Sequence, residues 1–321
     1  MKNRGTKIWF IIAALLILTG LIIFASVMTF HGWDFNKLST GKYEYNSYLI
    51  SEDFDSIAVK TDTAEIIFKL SDDGKCKVEC YEEEKSKHHV TVKENTLDIS
   101  VTYKKEWYDY ISINFSSPKI TVYLPELDYT SLSVSGKTGA VKVQDSLKIK
   151  DVDISLSTGN VDFPAAFSES VKIKTTTGSI STENISAGGL DLSVTTGKIT
   201  VKDITCDGDI NISVSTGKTD IRDTRCQNMT SNGSTGSISL NNVIVSNKLF
   251  IERSTGNVSF DVSDAAEIIV KTNTGDVRGS LLTDKVFITK TDTGSINVPD
   301  SITGGRCEIK TDTGDIKITV K

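Results

Sequence analysis

Apolar side chains recur along the last 190 residues at fixed distances from a Thr-Gly pair that returns every 19 or 20 residues. Seven residues before each glycine the chain places an apolar residue, and five residues before it the position is apolar in eight of ten units. Two residues after the glycine, nine of ten units carry valine or isoleucine. This spacing of two, rich in β-branched residues, predicts short strands. The ten glycines are Gly139, Gly159, Gly178, Gly197, Gly217, Gly236, Gly256, Gly275, Gly294 and Gly314.

Units of this length are too short to bury their own apolar face, so they must stack on one another. Glycine reaches positive φ without a steric penalty, which predicts a bend between two strands at each Thr-Gly pair. We therefore predict an all-β fold, a β-solenoid of about ten 19–20-residue coils over residues 131–321. We expect the threonine hydroxyls to hydrogen-bond one another or the backbone. The structural bend residues include Thr177, Gly178, Thr196, Gly197, Thr216, Gly217, Thr293 and Gly294.

Residues 51–130 form an N-terminal cap region in this interpretation. One degenerate coil has Ala64 where the glycine should stand. Because an open stack would expose unpaired strand edges, we expect the period-two runs of this region to form an antiparallel cap sheet. The runs are Cys76-Val78-Cys80, Val90-Val92, Leu97-Ile99-Val101, Ile111-Ile113-Phe115 and Ile120-Val122-Leu124.

An uncharged and mostly apolar segment covers residues 8–30. As a helix it would be about 35 Å long, enough to cross a hydrocarbon core of about 30 Å. A cleaved signal peptide is the alternative, although its apolar core is normally about 7 to 15 residues long. We predict a single transmembrane helix.

Basic residues before this segment orient it. Lys2, Arg4 and Lys7 precede it, and an excess of basic residues marks the cytoplasmic side of a membrane helix. We predict a single-pass cell membrane protein with an extracellular C-terminal domain. Residues 1–7 then form a cytoplasmic tail and residues 31–50 a membrane-proximal stalk.

A resemblance to a known family rests on three features of this sequence. These are the strand end Leu124-Pro125-Glu126, the following Leu132-Ser133-Val134, and the reiterated Thr-Gly-x-Ile/Val coils. Over about residues 50–320 the chain resembles the bacterial putative-adhesin family with the DUF4097 domain, a β-strand repeat. The family has no established catalytic or ligand residues. Some membrane-anchored members are similar to the accessory protein of the Lia cell-envelope stress system.

These features predict a non-catalytic, membrane-anchored protein of the cell envelope, an adhesin-like binding or structural module. An accessory or sensory component of an envelope-stress response and a polysaccharide-active enzyme are the alternatives. The net charge of −6 and the lack of a basic patch with interleaved aromatics argue against nucleic acid. We expect no enzymatic activity and no cofactor. The expected partners are the membrane, wall polymer, a surface ligand or a membrane protein.

Candidate chemistry is sparse. Adjacent strand residues point to opposite faces, so His88 and His89 are not expected to bind one metal, and we expect both at the surface. Oxygen ligands for Ca²⁺ could converge from adjacent coils. The candidates are Asp203, Asp207, Asp209 and Asp223.

Cys206 and Cys226 each lie nine residues after the glycine of their unit. Their expected Cα separation of about 4.8 Å would permit a disulfide. At the other end of the array, the last coil ends the chain with no capping domain after it. We therefore expect self-association through the C-terminal coil.

Overall fold

A computed structural model describes residues 3–34, 42–103, 117–165 and 167–321. Within these ranges the structure has one helix, α1 (Asn3–Phe30), followed by 22 strands. In chain order the strands are β1 (Tyr43–Ile50), β2 (Ser56–Thr63), β3 (Glu65–Leu70), β4 (Cys76–Glu83), β5 (Ser86–Lys93), β6 (Thr96–Tyr103), β7 (Lys119–Leu124), β8 (Asp128–Thr138), β9 (Val141–Val143), β10 (Lys148–Thr158), β11 (Val161–Pro164), β12 (Phe167–Glu183), β13 (Ser186–Cys206), β14 (Asp209–Cys226), β15 (Asn228–Thr235), β16 (Ile238–Thr255), β17 (Val258–Thr274), β18 (Val277–Leu281), β19 (Lys285–Thr293), β20 (Ile296–Asn297), β21 (Gly305–Thr313) and β22 (Ile316–Val320).

Strands of successive coils pair in parallel and in register, which confirms the predicted β-solenoid, with about nine turns. Between β12 and β13, Thr177 lies opposite Thr196 and Ile180 opposite Ile199. Equivalent positions of every unit therefore stack into columns. The column two residues after the glycine is buried through most of the stack, at Val141, Val161, Ile180, Ile199, Thr219, Ile238, Val258, Val277 and Ile316.

The glycine bend follows from the close approach of neighbouring coils. Gly197 has φ of 151°. A Cβ added there would lie 1.6 Å from the carbonyl oxygen of Gly178 in the coil below. Only glycine can occupy such a position, because any side chain would overlap the backbone of the next coil.

The threonine before each glycine lies at the bend, and the hydrogen bonding expected for its hydroxyl stays a prediction. Thr177, Thr196 and Thr216 are exposed, because the alternation of inward and outward side chains ends at the bend. The inward hydroxyl belongs to the residue two positions earlier. Thr175 donates hydrogen bonds to the carbonyl oxygens of Gly159 and Thr177, both at 3.2 Å. Thr311 donates in the same way to Gly275, at 3.1 Å.

At the C-terminal end the spatial order of the coils differs from their order in sequence. Strand β21 pairs with β17 on one side and β19 on the other, and β22 pairs with β18 and β20. The last coil of the chain is therefore an inner coil, and the outermost edge is β19 and β20. The expectation that the C-terminal coil itself mediates self-association is wrong. In this inner position Ile309 and Ile316 are fully buried.

At the N-terminal end, too, the spatial order of the coils differs from their order in sequence. The degenerate coil β2–β3 pairs in parallel with β8–β9 on one side and β6–β7 on the other. The antiparallel pairs are β5 on β6, β4 on β7 and β1 on β4. The cap sheet is thus antiparallel only in part, because β6 and β7 form a further parallel coil. The run Ile111-Ile113-Phe115 lies outside the described residues.

Part of the expected stalk belongs to the folded domain. Residues Tyr43–Ile50, counted within the stalk because they show little pattern, form β1 and pair with β4 along its whole length. Helix α1 differs from the strands in having no partner for most of its surface, since its side chains are exposed from Lys7 to Val27. It is the one helix in the described residues that is long and apolar enough to cross a membrane.

Candidate functional site

A buried polar cluster lies where the cap strands meet the first coil, and we call Asn46, Thr61, Glu82 and His88 the cap cluster. Glu82, on β4, has no exposed surface. Its carboxylate accepts hydrogen bonds from the backbone N–H of His88 at 2.6 Å and from Asn46 Nδ2 at 2.7 Å. The carboxylate also lies 2.7 Å from His88 Nδ1. Three hydrogen bonds therefore hold the Glu82 carboxylate.

His88 extends the network from β5 to the first coil. Its Nε2 lies 3.0 Å from the hydroxyl of Thr61, on β2. The hydroxyl of Tyr48, on β1, donates to the carbonyl oxygen of His88 at 3.2 Å. Four strands are thereby joined through polar groups. The expectation that His88 lies at the surface is wrong, because the alternation along β5 turns His88 inward and leaves His89 exposed.

The charge state of Glu82 follows from its partners. Burial raises the pKa of this carboxyl, but the hydrogen bonds from His88 and Asn46 lower it by more, so the net pKa lies below the usual range. Glu82 is therefore ionised at neutral pH. Sequence reasoning missed Glu82 because it lies in the acidic run Glu82-Glu83-Glu84. The signal that could have found it is the inward alternation of Cys76, Val78 and Cys80, which continues to Glu82.

Cys80, Glu82 and His88 are the one group among the described residues whose side chains could hold a metal, with ligand atoms within 4.8 Å of one another. One observation argues against a bound metal. Ligands of one zinc ion are about 3.3 Å apart in tetrahedral geometry, whereas His88 Nδ1 and the Glu82 carboxylate are 2.7 Å apart. The geometry is that of a hydrogen bond.

Thr61, His88 and Glu82 also form a hydroxyl–imidazole–carboxylate chain, the order of groups that activates a nucleophile in hydrolases. A nucleophile must be open to substrate. Thr61 is 6% exposed and faces the interior of the first coil. The arrangement therefore supports a structural role, in which the cap strands are fastened to the solenoid.

A surface recess of about 310 Å³ lies beside the cap cluster. Its volume is at the lower end of the range of small-molecule pockets. The charges around it are mixed, and Lys87 is paired with Glu44 at 2.5 Å. The residues that line it are Tyr48, Glu84, Lys85, Lys87, His88, His89 and Thr102.

The four calcium candidates are not brought into one cluster within the part of the chain that the structure describes. Asp203 and Asp223 have positive φ, at 52° and 46°, and occupy corners of the coils. The carboxylate of Asp223 accepts a hydrogen bond from Asn242, and that of Asp209 from Asn228, both at 2.7 Å. Asp207 is exposed. These side chains are therefore spread over separate positions, and calcium binding stays a prediction.

Cys206 and Cys226 are both buried, and both thiols are free. They lie at the ends of β13 and β14, where Thr205 is opposite Arg225, so the two cysteines follow each other in adjacent coils as expected. Burial raises the pKa of both thiols. The disulfide is not formed in the structure, and its formation in solution stays a prediction.

Comparison with known proteins places the solenoid in a family. The family model described as Toastrack DUF4097 matches residues 54–319. The chain belongs to this family. The match begins just before β2, so it leaves out α1 and β1, and it continues through the Thr-Gly array to residue 319. No curated protein matches the chain.

Two solved structures are similar to this chain, and the first agrees with it in fold. A putative lipid binding protein from Parabacteroides distasonis ATCC 8503 is 18% identical, with 88% of this chain and 98% of that chain covered and a TM-score of 0.51. A putative adhesin from Parabacteroides merdae ATCC 43184 is 14% identical, with 87% and 97% covered and a TM-score of 0.49. Identities at this level carry the fold only. The similarity to the Lia-system protein is not among these findings and stays a prediction.

Proposed function

We propose that the chain is a membrane-anchored protein of the cell envelope whose solenoid binds ligands at the cell surface without converting them. The observation that carries this proposal is the contrast between α1 and the rest of the fold. The strands bury their apolar side chains in the coil interior, whereas α1 exposes an apolar surface from Lys7 to Val27. Such a surface needs a hydrocarbon environment.

The binding role has its own support. A solenoid offers an extended surface of repeated outward positions, which is how repeat proteins bind their ligands. The cap cluster is buried and joins the cap strands to the first coil, which is a structural role and not a catalytic one. A solved structure of similar fold is named as a putative lipid binding protein, which is a binding role.

Protease treatment of intact cells tests the location. We would express the full chain with an epitope tag after Lys321 and follow the tag in the membrane fraction. The tag should stay with the membrane in alkaline carbonate and be removed by external protease. A variant with Lys2, Arg4 and Lys7 changed to Glu is the matched control, because it should weaken this orientation. A protease-protected tag in the original chain would contradict the proposal.

The same preparation separates an anchor from a signal peptide. An intact mass that includes residues 8–30 supports the anchor, whereas a mature N-terminus after this segment contradicts it.

For the binding role, we would cross-link the full chain in its membrane and identify what is captured. Release of new reducing ends from wall glycans incubated with the protein would contradict the non-catalytic part.

A further inference from the structure

Two polar residues, Thr219 and Ser231, occupy positions where the solenoid normally places apolar ones, and the structure brings both to the buried Arg253. Thr219 stands two residues after Gly217, where the other nine units carry valine or isoleucine. Ser231 lies five residues before Gly236, and Arg253 three residues before Gly256. All three side chains are buried, with Arg253 only 2% exposed. They lie on neighbouring coils and meet at the guanidinium of Arg253.

The guanidinium reaches along the stack from its own coil towards two others. Arg253 Nη1 donates to the carbonyl oxygens of Ser231 at 3.0 Å and Glu252 at 2.9 Å. Arg253 Nη2 donates to the hydroxyl of Ser231 at 2.8 Å and to that of Thr219 at 3.4 Å. Gly233 lies opposite Arg253 in register, and a Cβ added to it would lie 2.5 Å from the carbonyl oxygen of Val214 and 2.9 Å from Nη1. The missing side chain at Gly233 therefore leaves room for both the neighbouring backbone and the guanidinium.

These acceptors are all neutral, so the charge of Arg253 is not compensated. In the described ranges Arg253 has no ion-pair partner, whereas Lys285, the other deeply buried cation, lies 2.6 Å from Asp264. Burial lowers the pKa of Arg253 to about 10, so it remains protonated at neutral pH. A buried charge without a counter-charge is unfavourable. Leu156 fills the equivalent position of another coil, which shows that the fold accepts an apolar residue there.

Arg253 lines a groove of about 370 Å³ on the outer surface of the same coils. Hydroxyl and amide groups dominate its walls, and such groups hydrogen-bond the hydroxyls of a ligand. The wall residues are Ser213, Ser215, Asn232, Ser234, Ser254 and Asn273. A positive charge behind a polar wall attracts an anion into the groove, because field lines concentrate in a concave surface over a low-dielectric interior.

We infer that this groove binds an oxyanion carried by a polyhydroxylated ligand, a carbohydrate that bears a phosphate or a carboxylate group. The anion would compensate Arg253, and the serine and asparagine side chains would bind the ligand hydroxyls. This inference rests on the proposed binding role and assigns it a place and a ligand chemistry.

Glu252 gives the groove its selectivity. It is the one acid among the residues that line the groove, and its neighbour in register on the next coil is Lys271. Its carboxylate repels anions that approach from its side of the groove. A ligand with a single anionic group next to Arg253 is therefore favoured over a polyanion with charges along its length. The change Glu252→Gln should strengthen the binding of the single anion.

Titration of the full chain in detergent tests the inference. We would use glucose 6-phosphate, glucuronate and neutral glucose as probes in calorimetry. At least one of the two anions should bind, and glucose should bind about tenfold more weakly or not at all. Binding of one anion and not the other decides between phosphate and carboxylate. Binding of neither anion at about 10 mM would overturn the inference.

Variants then separate a binding role of Arg253 from a structural one. Arg253→Met should weaken anion binding by about tenfold or more and leave the melting temperature unchanged or raised. Arg222→Met is the matched control, because it removes the same charge from an exposed side chain paired with Asp220. Anion binding that survives Arg253→Met would overturn the inference.

A second pair of variants covers the case in which Arg253→Met does not fold. Asn232→Ala and Asn273→Ala change only exposed wall residues, so the core is untouched. Each should weaken binding of the carbohydrate anion, and an unchanged affinity in both would overturn the inference. Failure here leaves the location test with the C-terminal tag unaffected, so the two proposals are judged separately.

Discussion

One position of the repeat can carry side chains of different chemistry in different coils, although it always faces the coil interior. The position three residues before the glycine is an example. Thr175 uses it to donate to a backbone carbonyl of the next coil, Thr61 uses it to reach His88, and Arg253 uses it to reach Ser231. The Thr219 exception is visible in the sequence. Its meeting with Arg253 is not, because that depends on which coils are neighbours.

The first prediction concerns Glu82, whose pKa in the folded state is lowered. A carboxyl with a lowered pKa contributes stability above its unfolded pKa of about 4.3, and this contribution is lost as pH falls from there through the folded pKa. Glu82→Gln should therefore lower the free energy of unfolding by about 2 to 4 kcal/mol at pH 7 and by less at pH 3.5. Chemical denaturation at several pH values measures this.

Glu84→Gln is the control for this change, since Glu84 lies in the turn directly after β4 and is exposed. It should change stability by less than about 0.5 kcal/mol at every pH. A pH-independent loss in Glu82→Gln would mean that the carboxylate charge does not stabilise the cap cluster.

The second prediction concerns the spacing of the coils at Gly197. Gly197→Ala places a Cβ against the carbonyl oxygen of Gly178, so the coils must separate, and we expect a loss of more than about 4 kcal/mol. Gly189→Ala is the matched control, because φ there is not positive and the nearest atom to the added Cβ is 3.9 Å away. Thermal unfolding of both variants gives the comparison. Equal losses would refute the close approach.

Strands were predictable from the sequence, but the order of the coils was not. Alternation identifies the strands of the array, since one face of every coil is buried. All units share the same columns, so any coil can pair with any other. The pattern therefore does not predict which coils are neighbours. The exchange of β19–β20 with β21–β22 leaves Ile316 fully buried in the inner coil and Ile296 exposed in the outer one.

The third prediction tests this exchange with two isoleucines at the same position of the repeat. Ile316, in the inner coil, has no exposed surface, whereas Ile296, in the outer coil, is 46% exposed. Ile316→Ala should cost about 2 to 5 kcal/mol of unfolding free energy and Ile296→Ala less than about 1.5 kcal/mol. Denaturant titration of both variants measures the difference. If the coils instead followed sequence order, Ile316 would be the exposed residue and the ranking would reverse.

At the scale of the whole molecule the two ends of the solenoid are finished differently. The N-terminal end carries the antiparallel strands β4, β5 and β1, joined by the cap cluster. At the opposite end β19 pairs only with β21 among the described strands, and β20 only with β22. Val286, Ile288 and Ile296 are exposed there. Unpaired strand edges with apolar side chains are sites of association in β proteins.

The fourth prediction is that two copies associate through this edge. The contact is made by β19 and β20 and not by the last coil of the sequence, β21 and β22. A two-fold axis would pair the two β19 strands antiparallel, which satisfies their free backbone groups and covers the apolar side chains. The full chain in detergent should therefore form a concentration-dependent dimer in analytical ultracentrifugation. Ile296→Lys should weaken it by about tenfold or more, because a lysine would have to be buried at the contact. Leu49→Lys, at an exposed apolar residue of the other end, is the control and should leave the dimer intact. A monomer at all concentrations, or a dimer that only Leu49→Lys weakens, would contradict association through β19 and β20.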